Sequence, residues 1–265
     1  MYRTRFAPSP TGYLHPGHAF SALTAFEAAQ ANDGKFILRI EDIDHTRSRA
    51  AFETAIYEDL AWLGSDWEKP VLRQSDHLAD YQAALEQLRQ TGLLYADQRT
   101  RKGEAEAALS APQADDAAPQ TSPASPAWRL SLEAARDHLG ERYDLLTFNE
   151  KGEVRKADPA INGDIILGRK DIGIAYHLAV VIDDARQGIS HIIRGHDLYD
   201  ATHTQVLLQS LLGLPTPQYH HHALLLDAEG RRLAKRKGSK SLRDYRNEGL
   251  SAADIRAMIA AAPKG

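Results

Sequence analysis

Apolar positions in the N-terminal part of the chain alternate between short extended runs and helical stripes, divided by sharp breaks. Thr4 to Ala7 predicts a first strand, stopped by the turn formers Pro8-Ser9-Pro10-Thr11-Gly12. From Gly17 onward, Phe20, Leu23, Phe26 and Ala31 recur at helical spacing until Asn32-Asp33-Gly34 ends the pattern. Phe36 to Ile40 is an apolar run that predicts a buried strand ending at Glu41-Asp42. Strand, glycine turn, helix and strand make a βαβ unit, which implies a parallel sheet. Two more helices are predicted over Ala50 to Leu63 and Leu78 to Thr91, the second closed by Gly92.

The pattern fails between Gly103 and Ala127, where Ala, Pro, Ser, Gln and Asp dominate. That composition has little with which to build a core and reads as a mobile surface excursion in an inserted region. Order returns at Trp128-Arg129-Leu130. Strands are predicted over Asp164 to Leu167, Leu178 to Ile182 and Ile189 to Arg194, and a helix over Ala201 to Leu212. The expected architecture is an α/β core interrupted by an insertion: residues 1–95, then the inserted 96–163, then the core resumed over 164–265. No internal repeat is visible.

Composition narrows the function classes. The 265 residues are 43% hydrophobic and 26% charged, with a formal net charge of −4, which argues against a protein that coats nucleic acid non-specifically. The absence of cysteine excludes disulfides, thiol nucleophiles and thiolate zinc sites. No stretch approaches the ~18 apolar residues a membrane span requires, and the N-terminus carries no apolar signal core. A cytoplasmic enzyme without a membrane partner is expected.

Two segments suit polyphosphate. His15-Pro16-Gly17-His18 stands between the predicted first strand and first helix, where unpaired backbone N–H groups gather. Gly17 removes a Cβ where a nucleotide lies against the backbone, and the two imidazoles can donate to one ligand. A Pro/Gly turn whose histidines cap the helix fits the same residues. Far along the chain, the basic run Arg231 to Lys240 can close over phosphates, with Lys235 as a point charge, or form a solvated turn or RNA contact. Of the other clusters, His220-His221-His222 alternates faces on a strand, which favours packing or substrate contact over a metal. Asp183-Asp184 fits a turn after the strand ending at Ile182 or a metal site.

Together these segments resemble a known family. Arg5 to His18, Arg39-Ile40-Glu41-Asp42-Ile43-Asp44, Ala175 to Asp184 and Ile193-Arg194-Gly195 closely resemble the catalytic core of glutamyl-tRNA synthetases, and Arg232-Leu233-Ala234-Lys235-Arg236 resembles that family's second ATP signature. The resemblance implies a Rossmann-like core that binds ATP with Mg²⁺. Arg194-Gly195-His196-Asp197-Leu198 and the end of the chain at Gly265 are closer to the short branch, the glutamyl-Q tRNA(Asp) synthetases, which carry no anticodon-binding domain. That branch is implied to activate glutamate with ATP and pass it to queuosine in the anticodon loop of tRNA(Asp). A shortened synthetase charging a tRNA 3′ end, or a non-catalytic paralogue that binds tRNA or amino acid, are the alternatives. A monomer is expected.

By the same resemblance, glutamate falls to Arg5, Ala7, Ser9, Glu41, Tyr176 and Arg194, and ATP to Pro8, His15, Gly17, His18, Leu233 and Lys235. His15, His18 and Lys235 are the catalytic candidates. The assignments suit glutamate's charges: Arg5 and Arg194 can grip carboxylates, and Glu41 can pair with the ammonium. Taken singly, Arg5, Glu41 and Arg194 read equally as ion-pair partners, and Tyr176 as a core aromatic. Members of the short branch often hold zinc through cysteines after a Leu-x-Tyr segment. Here Leu93-Leu94-Tyr95 is followed by Asp97 and Arg99, so no structural zinc is expected.

Overall fold

Arg3–Phe6 (β1) and Lys35–Ile40 (β2) run parallel, with Arg3 opposite Lys35 and Phe6 opposite Leu38. The computed structural model describes residues 1–97, 126–170, 173–226, 230 and 240–265. The helix joining the two strands, Pro16–Ala31 (α1), buries Ala19, Ala22, Leu23, Ala25, Phe26 and Ala29. Its alanines let the backbone lie close to the sheet, while Leu23 and Phe26 each contribute about 1.5–3 kcal/mol by leaving water. The return to β2 depends on Gly34, where a Cβ would stand 2.5 Å from the Tyr2 carbonyl oxygen. Ala50–Trp62 (α2) then leads to Glu68–Arg73 (β3), which pairs parallel with β2.

After Leu78–Gln90 (α3) the chain enters an antiparallel sheet that includes Leu94–Asp97 (β4) and Ala127–Leu130 (β5). Leu132–Leu139 (α4) and Glu141–Asp144 (α5) precede a hairpin of Thr147–Glu150 (β6) and Glu153–Lys156 (β7). Ile166–Arg169 (β8) and Gly173–Ile174 (β9) complete the antiparallel sheet in the order β4-β5-β8-β9. Tyr176–Arg186 (α6), His191–Gly195 (β10), Tyr199–Leu212 (α7) and Gln218–His222 (β11) follow, then Leu242–Asn247 (α8) and Ala252–Ala261 (α9).

β10 and β11 are parallel and continue into the β6–β7 hairpin, so residues 147–156 share a sheet with the second half of the core. This sheet meets the β1-β2-β3 sheet where Ser190 N–H donates to the Arg3 carbonyl (3.0 Å) and Arg3 N–H to Ser190 Oγ (2.8 Å). The result is a Rossmann-like α/β fold. β1 pairs parallel with β2 and β10 with β11, and Glu41 follows the carboxyl end of β2 while Arg194 stands near that of β10, the end at which open α/β sheets bind ligands.

One predicted element is corrected. Leu178 to Ile182 is not a strand; it lies inside α6. Leu178, Ala179, Val180 and Val181 are all buried there, so the helix presents no polar stripe along this stretch. Asp183 and Asp184 accordingly sit in the last turns of a buried helix rather than in a turn after a strand. Of the segment 103–127 read as a surface excursion, residues 103–125 lie outside the described residues, while Ala127 begins β5; Leu233 and Lys235, with residues 231–239 of their basic run, also lie outside them.

Candidate active site

The HxGH segment builds its own geometry. His15 is the N-cap of α1, and its Nδ1 accepts the backbone N–H of Gly17 at 3.1 Å. Nδ1 of His18 accepts the backbone N–H of His15 at 3.2 Å, closing a reciprocal capping box. Capping and ligand binding are therefore compatible. With both Nδ1 atoms accepting, each neutral imidazole carries its hydrogen on Nε2 and presents a donor. The rings lie 3.7 Å apart at the positive end of α1. Pro8 is buried and accepts the N–H of Glu41 at 3.1 Å, which ties this loop to the end of β2; Ala7 is half-buried and Ser9 exposed.

Behind the loop is a buried charge cluster. Arg5 donates through Nε to Oδ1 of Asp184 (3.1 Å) and through Nη2 to Oδ2 (3.4 Å). Arg39 Nη1 reaches Asp184 Oδ1 at 2.8 Å, and Nη2 reaches Glu41 Oε1 at 3.3 Å. Asp183 is held by Gln74 and the Tyr81 hydroxyl, with Arg39 Nε 3.8 Å away. Arg186 lies 4.0 Å from Asp183 but ion-pairs with exposed Asp80 at 2.6 Å. Two buried arginines, Arg5 and Arg39, thus face three buried carboxylates, Glu41, Asp183 and Asp184. Arg186 adds a third cation at the edge of ion-pair distance, and burial raises the Asp183 carboxyl above its ordinary value. Against the effect of burial, Arg5 and Arg39 hold the Asp184 carboxyl below its ordinary value. Burial pushes Glu41 up to about 7, Arg39 and Arg5 only partly offsetting it.

Arg194 on β10 is a buried cation of another kind. Nε donates to Nε2 of His221 (3.1 Å), and Nη2 to the Thr202 hydroxyl (2.8 Å) and the Leu198 carbonyl (3.1 Å). All three acceptors are neutral. Nη1 is buried with no hydrogen-bond partner among the described residues, although the residue is only 4% exposed. A buried guanidinium with one unpaired end is costly unless a ligand completes it. Tyr176, the first residue of α6, is half-buried within the fields of Arg194, Glu41 and Arg5; burial raises its hydroxyl pKa. Neighbouring His177 is pushed down to about 4 by burial and by Arg194.

Arg5, Glu41 and Arg194 all act on the Tyr176 hydroxyl, so these four residues share one neighbourhood, and the Glu41–Pro8 hydrogen bond ties it to the loop that leads to His15, Gly17 and His18. Sequence reading missed Arg39 and Asp184 as neighbours of Arg5, and Glu150 and His221 as neighbours of Arg194. The paired acids and triple histidine were the visible signals. In that triplet, His221 faces Arg194, His222 bonds Ser21 Oγ at 2.9 Å on another side, and His220 is exposed. Among the described residues no group of three or more His, Asp or Glu is arranged to hold a metal. Asp97 is ion-paired with Arg129 on the adjacent strand, and Arg99 lies outside the described residues. No described helix is long and apolar enough to cross a membrane.

The chain belongs to the family of class I tRNA synthetase catalytic domains specific for E and Q, matched over residues 1–261. It is 45% identical to the glutamyl-Q tRNA(Asp) synthetase of Rhodobacter capsulatus, over 97% of this chain and 99% of that protein. The glutamate–tRNA ligase of Parasynechococcus marenigrum is 38% identical over 96% of this chain, which spans 57% of that longer enzyme. A crystal structure of a glutamate tRNA ligase from Elizabethkingia meningosepticum in complex with its amino acid superposes with a TM-score of 0.73 at 26% identity, covering 98% of this chain and 60% of that one.

Proposed function

We propose that this chain activates glutamate with ATP and transfers the glutamyl group to queuosine in the anticodon loop of tRNA(Asp). The observation that carries the amino-acid half is a pair of under-satisfied buried charges: the Glu41 carboxylate, which Arg39 reaches only at 3.3 Å, suits an ammonium, and the unpaired Nη1 of Arg194 suits a carboxylate. Arg5, Ala7, Ser9 and Tyr176 are proposed to complete the amino-acid site.

In the first step a carboxylate oxygen of glutamate attacks the α-phosphorus of ATP and pyrophosphate leaves. In the second, a nucleophile of the modified base attacks the acyl carbon and AMP leaves. No protein nucleophile is needed; the chain positions the reactants and stabilises charge. The Nε2–H donors of His15 and His18 are proposed to meet the phosphates, with Gly17 and Pro8 beside them, and the likeness of Arg232 to Arg236 to the second ATP signature assigns Leu233 and Lys235 to the nucleotide. Mg²⁺ bound with the nucleotide would supply charge neutralisation at the phosphate oxygens. The choice of queuosine over a 3′ end rests on likeness to the Rhodobacter capsulatus relative, matched along almost its whole length. The reading places the enzyme in the cytoplasm as a monomer.

Amino-acid-dependent ATP–pyrophosphate exchange without tRNA tests the first step. Glutamate should support exchange and glutamine or aspartate should not; exchange with none of the three contradicts the reading.

A further inference from the structure

Arg194 occupies β10 in register with His221 on β11, and β11 is flanked by β6, whose last residue is Glu150. Adjacent strands put these side chains in one row: Glu150, His221, Arg194. Oε1 of Glu150 accepts the backbone N–H of His221 at 2.9 Å, and Oε2 lies 2.7 Å from Nδ1 of the ring. On the far side of the ring, Nε2 receives the Arg194 Nε hydrogen at 3.1 Å, with the Thr202 hydroxyl also 3.1 Å away.

The hydrogens in this row are determined. Arg194 can only donate, so Nε2 of His221 must accept. A neutral ring then carries its hydrogen on Nδ1 and donates it to Glu150, whose carboxylate accepts both that hydrogen and the backbone N–H. Burial and the field of Arg194 push His221 down to about 2, so the ring stays neutral through the working pH range. Glu150 thus does not neutralise Arg194 directly; the imidazole stands between them and leaves the guanidinium charge available at Nη1.

We infer that Glu150 and His221 are positioning residues for amino-acid recognition, fixing the tautomer that locks Arg194 with Nη1 turned to the carboxylate of the substrate. Glu150 lies within the stretch 96–163 read from sequence as an insertion, so that stretch acts on specificity through the core sheet. The inference rests on the reading that the Arg194 site takes glutamate.

The decisive variant is Glu150→Gln, which keeps the shape but replaces one acceptor oxygen with a donor. Gln can accept only one of the two hydrogens, so the ring is driven to place its hydrogen on Nε2, against Arg194. Exchange kinetics should show the KM for glutamate rising about tenfold or more, the scale of a buried donor left unpaired, with the KM for ATP within about twofold. In ¹⁵N-histidine NMR, the resonance lost in His221→Asn should show the Nδ1–H form in the wild-type protein, without titration between about pH 5 and 8. It should leave that form in Glu150→Gln. An unchanged glutamate KM in folded Glu150→Gln, or a wild-type ring already in the Nε2–H form, overturns the inference. A wild-type protein that activates no amino acid overturns the functional reading instead, and the tautomer measurement then still decides the positioning row.

Discussion

Asp184 receives both buried arginines of the first half of the core: Arg5 Nε at 3.1 Å and Arg39 Nη1 at 2.8 Å from the same Oδ1. Asp184 is thereby the clamp between α6 and the first βαβ unit. Asp184→Asn keeps the shape and strands two guanidinium groups with less negative charge than they need. Removing one partner of a buried ion pair costs about 3–5 kcal/mol. Urea denaturation should register a loss of that order; a loss below about 1 kcal/mol would mean that the cluster is solvated.

The Glu41 carboxyl, pushed up to about 7 by burial, gives the proposed amino-acid site a pH dependence. Below that value the carboxyl is protonated and an ammonium loses its partner, so the KM for glutamate should rise as pH falls from about 8 to 6. The stability sign is opposite. A folded value raised above the ordinary 4.5 contributes stability that is fully present below 4.5 and lost as pH rises through about 7. The stability of the wild type relative to Glu41→Gln should therefore decline across that window. A flat difference would show that Glu41 titrates normally.

Arg194→Lys preserves the charge but not the fork that spends Nε and Nη2 on His221, Thr202 and Leu198. A lysine cannot satisfy those acceptors and still present a cation to the ligand. The glutamate KM should rise at least about tenfold with little change for ATP, on the scale of one buried charged hydrogen bond. Equal changes in both constants would place Arg194 outside amino-acid recognition.

Lys235 is proposed to meet the leaving pyrophosphate. Lys235→Ala should cut ATP–pyrophosphate exchange about tenfold or more, the scale of one lost transition-state contact. Near-normal exchange would remove the residue from the assignment.

Much of the first half of the fold was legible because its signals are local. β1, α1, β2, α2 and α3 fall within a residue or two of the turn formers and caps that bound them. α6 was misread because Leu178 to Ile182 is apolar on every face, and a short buried helix shows no period that separates it from a strand. The βαβ pattern and HxGH segment pointed to the phosphate end directly. The rest of the site depends on distant partners: Arg39 and Asp184 are 145 residues apart, and Glu150 and His221 are 71 apart. No local rule pairs residues at such separations. Asp183-Asp184 and His220-His221-His222 stood out by composition, yet only packing shows that each pair or triplet divides between different neighbours.

The destination of the activated glutamate is the central claim, and labelled glutamate tests it most directly. The protein is incubated with ATP, Mg²⁺ and radiolabelled glutamate, together with tRNA(Asp) containing or lacking queuosine, or with tRNA(Glu). Label should appear on queuosine-containing tRNA(Asp) alone and survive removal of the 3′ terminal adenosine. Equal labelling of both tRNA(Asp) forms, or labelling confined to tRNA(Glu), would contradict the account.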